Sequence, residues 1–196
     1  MLKRVFIVFG LVIFIAGCDN KTSSKVNINE VHAVLIPQSG TYSRKISTDN
    51  KSAQAFFDQG LRLSWGFYFP ESIASYQEAS RLDPNHPMPY WGMAHAMGPN
   101  PNSRYARMPD DPKGEGLKAI KKALERIDKA NPLEAKLIRA LHVFYDKESI
   151  SDADARDRAY LKVMRDLNKE YPKDPDIAAL YAGSYMSIRR WDYWDS

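Results

Sequence analysis

Apolar residues recur every three or four positions over most of the chain after residue 53, a period that predicts amphipathic helices. A first helix over 53–64 has an apolar face formed by Phe56, Phe57, Gly60, Leu61 and Leu63. A second helix begins at Pro70, because proline fits the first turn of a helix, and it ends before Asp83 and Pro84. Two such helices with a short connection predict an antiparallel pair, which needs a neighbour to cover its exposed face.

The same period continues towards the C-terminus. It predicts helices over 116–129, after Asn131, after Asp152 and after Pro175. Asn131 is a suitable N-cap, and Glu134 can complete a capping box with it. An irregular loop over 98–112 interrupts the pattern, and loops of this length often carry function. Residues 53–196 are therefore predicted to be all-α, after an extended lead-in over 40–52. Within the lead-in, Ser47, Thr48, Asp49 and Asn50 are possible N-caps of the first helix.

Residues 53–86 resemble a tetratricopeptide repeat of 34 residues. Counted from Ala53, the positions that match the motif are Phe56, Gly60, Tyr76, Ala79 and Pro84. Gln59 and Ser72 depart from the usual leucine and alanine. A second unit that begins at Pro87 matches at Tyr90 and Ala94. The resemblance implies a solenoid of antiparallel helix hairpins, and a generic helical hairpin is the alternative.

Three segments together extend this resemblance: FDQGLRL, EASRLDP and YWGMAHAMGPN. They are similar to parts of a group of bacterial tetratricopeptide-repeat proteins that have no defined molecular function. The similarity runs from about Gly40 to the C-terminus and implies a fold without an activity. Solenoids normally finish with a polar capping helix, whereas this chain ends with Trp191, Tyr193 and Trp194. We therefore expect the repeat domain 53–196 to be truncated relative to these relatives.

The first residues have the pattern of a bacterial signal peptide over 1–17. Lys3 and Arg4 precede the apolar segment Val5–Ala16. This segment is too short for a membrane-spanning helix, which needs about 20 residues. This segment leads to Ile15-Ala16-Gly17-Cys18, which resembles a lipobox and implies that Cys18 becomes the lipidated N-terminal residue. Several acyl chains give stable membrane anchoring. A signal-anchor helix, or a secretory peptide with a coincidental cysteine, is the alternative.

The residues after the lipobox bear on localisation. Residues 18–39 are predicted to form a lipidated, flexible tether below the folded domain. Asp19 resembles an inner-membrane retention signal, so we expect a lipid-anchored protein that faces the periplasm at the inner membrane, with the outer membrane as the alternative. Removal of Lys3 and Arg4 with the signal peptide lowers the formal net charge by two, from +4 to +2. That balance does not indicate a nucleic-acid partner.

No group of residues in the sequence has the spacing of a known catalytic or metal-binding motif. The four histidines lie in four separate segments, and Cys18 is the only cysteine. The chain also has no glycine-rich phosphate loop and no serine-nucleophile elbow. We therefore expect no enzymatic activity, no catalytic residue, no metal ion and no cofactor.

The resemblance to tetratricopeptide proteins implies a binding groove, because the first helix of each pair lines the concave surface in that fold. The positions that face the groove would be Phe57, Leu61, Trp65, Trp91 and His95. Such a surface suits an apolar peptide segment; alternatively, these aromatic residues pack against the long loop or against a C-terminal part that the truncated chain lacks. The predicted function is a membrane-tethered scaffold for protein–protein interaction at the cell envelope. The alternative is a non-catalytic accessory subunit of an envelope enzyme or transport system, with the loop 98–112 as its contact.

Overall fold

Seven α-helices and one short 3-10 helix form the regular structure in a computed structural model that describes residues 31–99 and 108–189. Within these ranges there is no β-strand, which confirms the predicted all-α class. The helices are α1 (Lys51–Trp65), α2 (Phe69–Leu82), α3 (Met88–Ala96), α4 (Pro112–Leu124), α5 (Pro132–Tyr145), α6 (Ala153–Glu170) and α7 (Pro175–Arg189). The predicted signal peptide, Cys18, most of the 98–112 loop and the C-terminal tryptophans lie outside the described residues.

Capping side chains set where the helices begin. The Asn50 side chain accepts hydrogen bonds from the backbone N–H groups of Ser52 and Ala53 and so caps α1. Asn131 and Glu134 form the predicted capping box at the start of α5. The Asp152 side chain caps α6, which begins directly after it, where the sequence predicts a helix.

The fourth helix differs from the prediction of a helix over 116–129. The side chain of Asp111 accepts a hydrogen bond from the backbone N–H of Gly114, so α4 begins at Pro112. The helix ends at Leu124, and the 3-10 helix Ile127–Lys129 follows it. The observed helix therefore begins and ends a few residues before the predicted one. The sequence analysis missed this start because the apolar period is weak in the segment around Asp111.

Close packing around the Tyr76 ring joins the first three helices. A Cβ atom at Gly60 in α1 would lie 2.8 Å from Cδ1 and Cε1 of Tyr76 in α2. A Cβ atom at Gly92 in α3 would lie 2.4 Å from Cε1 of the same ring. Both distances are too short for a real contact, so α1 and α3 approach α2 this closely only because these positions are glycine.

Each helix packs against the next one along the chain, and α3 also contacts α1 and α5. The last described helix, α7, packs against α6. The first turn of α7 also reaches the end of α1, where Trp65 Nε1 donates a hydrogen bond to Asp176 Oδ1 at 3.2 Å. Helix α7 therefore meets the end of α1, on the side where the sequence predicts an open groove.

The segment before α1 is extended and runs along α1 and α2. Gln59 accepts a hydrogen bond from the backbone N–H of Ile36 at 2.7 Å and donates one to the carbonyl of Val34 at 2.9 Å. Asp58 likewise accepts hydrogen bonds from the Ser43 hydroxyl and the Arg44 backbone N–H. The residues from 31 onward, part of which we placed in the tether, are thus held against the helices by buried polar side chains of α1.

Candidate functional site

Four of the five side chains predicted to face a groove are buried in the core. The exposed fractions are 0% for Phe57, 1% for Leu61, 3% for Trp91 and 5% for His95. The indole N–H of Trp91 donates a hydrogen bond to the carbonyl of Leu137 in α5 at 3.2 Å, as expected for a core tryptophan. Only Trp65 stays partly accessible. In this arrangement the four side chains are covered by neighbouring parts of the fold.

His95 lies between two tryptophan side chains. Its imidazole stacks on the indole of Trp91 and meets the indole of Trp65 edge-on, with centroid distances of 5.4 Å and 5.7 Å. Burial lowers the pKa of His95 to about 4, although the negative charge of Asp176 opposes this effect. The imidazole is therefore neutral at pH 7.

Two buried polar atoms beside this aromatic cluster have no hydrogen-bond partner. They are Nδ1 of His95 and Oγ of Ser64, whose residue is only 2% exposed. An unsatisfied buried polar atom costs about 1–3 kcal/mol, so native proteins contain few of them. Two such atoms in one place therefore call for a structural or functional explanation.

Both residues line a cavity between α1, α3, α6 and α7. Its volume is about 260 Å³. Apart from Ser64 and His95, its walls are mostly apolar, and the larger side chains among them are Trp65, Phe67, Tyr160, Leu180 and Met186. An apolar cavity with a few convergent polar groups has the usual composition of a small-ligand site.

The turn between α1 and α2 exposes two aromatic residues beside this cavity. The backbone N–H of Phe67 donates to the Ser64 carbonyl and that of Tyr68 donates to the Leu63 carbonyl, which closes the end of α1. This turn requires a φ of 64° at Phe67, in the left-handed region that favours glycine. The exposed fractions are 56% for Phe67 and 61% for Tyr68. A strained backbone thus presents a bulky apolar side chain to solvent.

An ion-pair cluster fixes the first turn of α7 to the extended segment. Arg44 Nη1 lies 2.9 Å from Asp174 Oδ1 and 2.8 Å from Asp176 Oδ2. Burial of Asp174 disfavours its charged form and is the largest single effect on its pKa. The hydrogen bond and charge of Arg44, together with hydrogen bonds from the backbone N–H groups of Asp176 and Ile177, outweigh it and hold the pKa of Asp174 below its usual value. Because Asp176 also accepts the Trp65 hydrogen bond, the cluster holds one wall of the cavity in place.

A second polar cluster contains serine, histidine and glutamate, and no motif in the sequence indicates it. Backbone N–H of Met88 donates to His86 Nδ1 at 3.3 Å, so the ring proton lies on Nε2 and points to Ser47 Oγ at 3.0 Å. The Ser47 hydroxyl in turn donates to Glu134. A nucleophilic serine donates to its histidine, so the hydrogen bonds here run in the opposite direction to that of a catalytic triad. This cluster ties the extended segment to α3 and α5.

Metal-binding and membrane-spanning features are both absent from the described residues. Over 31–99 and 108–189, no group of histidine, cysteine, aspartate and glutamate side chains is arranged to hold a metal ion. None of the seven described helices combines the length and the apolar character that crossing a membrane requires.

Comparison of the chain with protein-family models, curated proteins and solved structures found no match. The class of the protein therefore rests on its own fold, which over the described ranges is all-α with sequential packing of neighbouring helices.

Proposed function

We propose that this protein is a membrane-tethered, tetratricopeptide-like scaffold that binds a protein partner at the bacterial cell envelope. The observation that carries the proposal is the exposed aromatic pair Phe67 and Tyr68 in a turn with a left-handed backbone. Strained backbone conformations concentrate at functional sites, and aromatic side chains are enriched in the centres of protein interfaces.

The repeat arrangement is supported by the order of helix contacts and by the glycines that flank Tyr76. Both Gly60 and Tyr76 lie at positions where the resemblance to the repeat places a small and an aromatic residue. The tether is supported by the apolar segment Val5–Ala16 and the lipobox-like sequence that ends at Cys18. Asp19 favours the inner membrane, and the outer membrane is the alternative.

The contact surface in this proposal is the turn and not the interior of the predicted groove. The side chains of Phe57, Leu61, Trp91 and His95 are covered, so in this arrangement they have little surface for a partner. Phe67 and Tyr68 lie directly after Trp65, the one predicted groove residue that is partly accessible. Aromatic side chains that anchor an interface commonly contribute about 2 kcal/mol or more to binding.

Site-specific photo-crosslinking tests this function in the full-length protein in its own membranes. The photoreactive residue p-benzoylphenylalanine replaces Tyr68 in one variant and Tyr185, an aromatic residue in α7 that is 43% exposed, in the control. We expect a discrete crosslinked protein from position 68, lost when Phe67→Gly is added, and no such product from position 185. The same products from both positions, or none from position 68, would contradict the proposal.

A further inference from the structure

We propose that the cavity between α1, α3, α6 and α7 binds a small, neutral aromatic molecule that carries one hydrogen-bonding group. This site goes beyond the scaffold function, because a small ligand enters the interior of the fold while a protein partner contacts its surface. The proposal rests on the unpaired polar atoms, the size of the cavity and the absence of a charge partner among its lining residues.

The unpaired atoms define where the head group of the ligand binds. Ser64 and His95 both line the cavity, both are more than nine-tenths buried, and neither Ser64 Oγ nor His95 Nδ1 has a hydrogen-bond partner. A hydroxyl group can donate and accept, and a neutral imidazole has one donor and one acceptor nitrogen. A hydroxyl or an amide of a ligand, which both donates and accepts, can therefore satisfy both atoms, and a ring N–H can donate to one of them.

The walls define the rest of the ligand. Trp65 and Tyr160 supply aromatic surface, while Leu180 and Met186 of α7 supply aliphatic surface. Aromatic rings favour offset or edge-on contact with other aromatic rings, and thioether groups also pack well against them. The volume of about 260 Å³ is below the roughly 300–1,000 Å³ of sites for drug-sized molecules. A molecule of one or two fused rings therefore fits best.

The charges near the cavity favour a neutral ligand. His95 is uncharged at pH 7 because burial lowers its pKa to about 4. The anionic group that acts on the pKa of His95 is Asp176, and both of its oxygens already accept hydrogen bonds, from Arg44 and from Trp65. An ionised ligand would lose its hydration without gaining a counter-ion, which is unfavourable.

Indole is a suitable probe, because it is a two-ring neutral molecule with one N–H donor. Isothermal titration calorimetry of the full-length protein would compare it with benzothiophene, which has a similar shape but no N–H group. We expect saturable binding of indole, and binding of benzothiophene at least tenfold weaker. No saturable binding of indole would overturn the proposal, and so would equal affinity for the two probes.

Two substitutions test the location of the site. Ser64→Ala removes one unpaired hydroxyl and is expected to weaken indole binding several-fold while the protein stays folded. A Cβ atom added at Gly183, which lines the cavity, meets no atom within 4 Å. The side chain of Gly183→Leu therefore starts in open space, and we expect it to occupy part of the cavity. We expect Gly183→Leu to abolish indole binding and Tyr185→Ala, on the exposed side of α7, to leave it unchanged.

Circular dichroism and thermal unfolding would show that each variant is folded. If folded Gly183→Leu protein binds indole as tightly as the unchanged chain does, the ligand occupies another place and the proposal is overturned. The crosslinking experiment at Tyr68 reads out a surface contact and is independent of this result.

Discussion

The imidazole of His95 lies parallel to the indole of Trp91, with ring centroids 5.4 Å apart and an angle of 6° between the planes. The stack places a titratable group of α3 in the core, where only the neutral imidazole is well tolerated. Burial accordingly lowers the pKa of His95 to about 4, against about 6.5 for a histidine in an unfolded chain.

This stack makes the stability of the protein dependent on pH. Between about pH 6.5 and 4 the unfolded chain binds a proton at His95 and the folded protein does not, so the free energy of unfolding falls as the pH falls. We expect this histidine to account for a loss of about 3 kcal/mol across that window, and the loss ends below the folded pKa. Urea titrations at a series of pH values measure how steeply the free energy of unfolding changes with pH.

Two variants isolate the contribution of His95. His95→Gln should remove the contribution of this histidine to the pH dependence of the free energy of unfolding. This holds whether or not the substitution also changes the stability at pH 7. His32→Gln is the control, because the His32 side chain is exposed. An unchanged slope in His95→Gln would show that the imidazole titrates alike in the folded and unfolded states.

Gly92 and Gly183 form a matched pair of helix glycines with opposite expected effects. Alanine at Gly92 places its Cβ 2.4 Å from the Tyr76 ring, whereas alanine at Gly183 meets nothing within 4 Å. We expect Gly92→Ala to lower the free energy of unfolding by about 1–3 kcal/mol through overpacking. Gly183→Ala should raise it by about 0.5–1 kcal/mol, because alanine is the better helix former. Denaturant unfolding of the two variants measures both changes. If Gly92→Ala is more stable than the unchanged protein, the packing described around Tyr76 is wrong.

Arg44 is the only cation that contacts both Asp174 and Asp176 among the described residues. Arg44→Met leaves two largely buried carboxylates without their partner, and we expect a loss of about 2–3 kcal/mol in the free energy of unfolding. Hydrogen exchange should also quicken in the first turn of α7. The control is Lys118→Ala, which removes the exposed Lys118–Glu115 pair. That change should have no measurable effect, and equal effects for the two variants would be inconsistent with a buried cluster.

The backbone of Phe67 predicts an unusual order of stability. Both Phe67→Ala and Phe67→Gly remove the ring and its edge-on contact with Phe69. Only glycine, however, adopts a φ of 64° without a steric penalty. We therefore expect Phe67→Gly to be about 1 kcal/mol more stable than Phe67→Ala, although glycine is the more flexible residue in the unfolded chain. Thermal unfolding of the two variants side by side tests the order.

Local signals in the sequence were sufficient for most helix boundaries. Asn50, Asn131 and Asp152 act as N-caps where they are expected to do so, because a cap acts on backbone groups two or three residues away. The exception is α4, whose start depends on Asp111 and precedes the strong part of the apolar period. Local pattern thus predicted helix type well and the α4 boundary poorly.

The candidate site could be predicted only in part. The apolar period placed Phe57 and Leu61 on the apolar face of the first helix, and both are buried. A period cannot, however, say which element covers a face. Ser64 and Phe67 were not singled out, since neither belongs to a motif. Phe67 in the left-handed region has no sequence signal, because glycine or asparagine is the usual residue there.

The sequence by itself determined the helical period, the capping residues and the lipobox-like pattern that ends at Cys18, since each depends on residues close together in the chain. The tertiary structure decided that His95 is buried, and that Ser47, His86 and Glu134 meet. It also decided that α7 reaches α1 through Trp65 and Asp176, which are 111 positions apart in the sequence. Contacts of that separation depend on how all the intervening helices pack, and no local pattern encodes that packing.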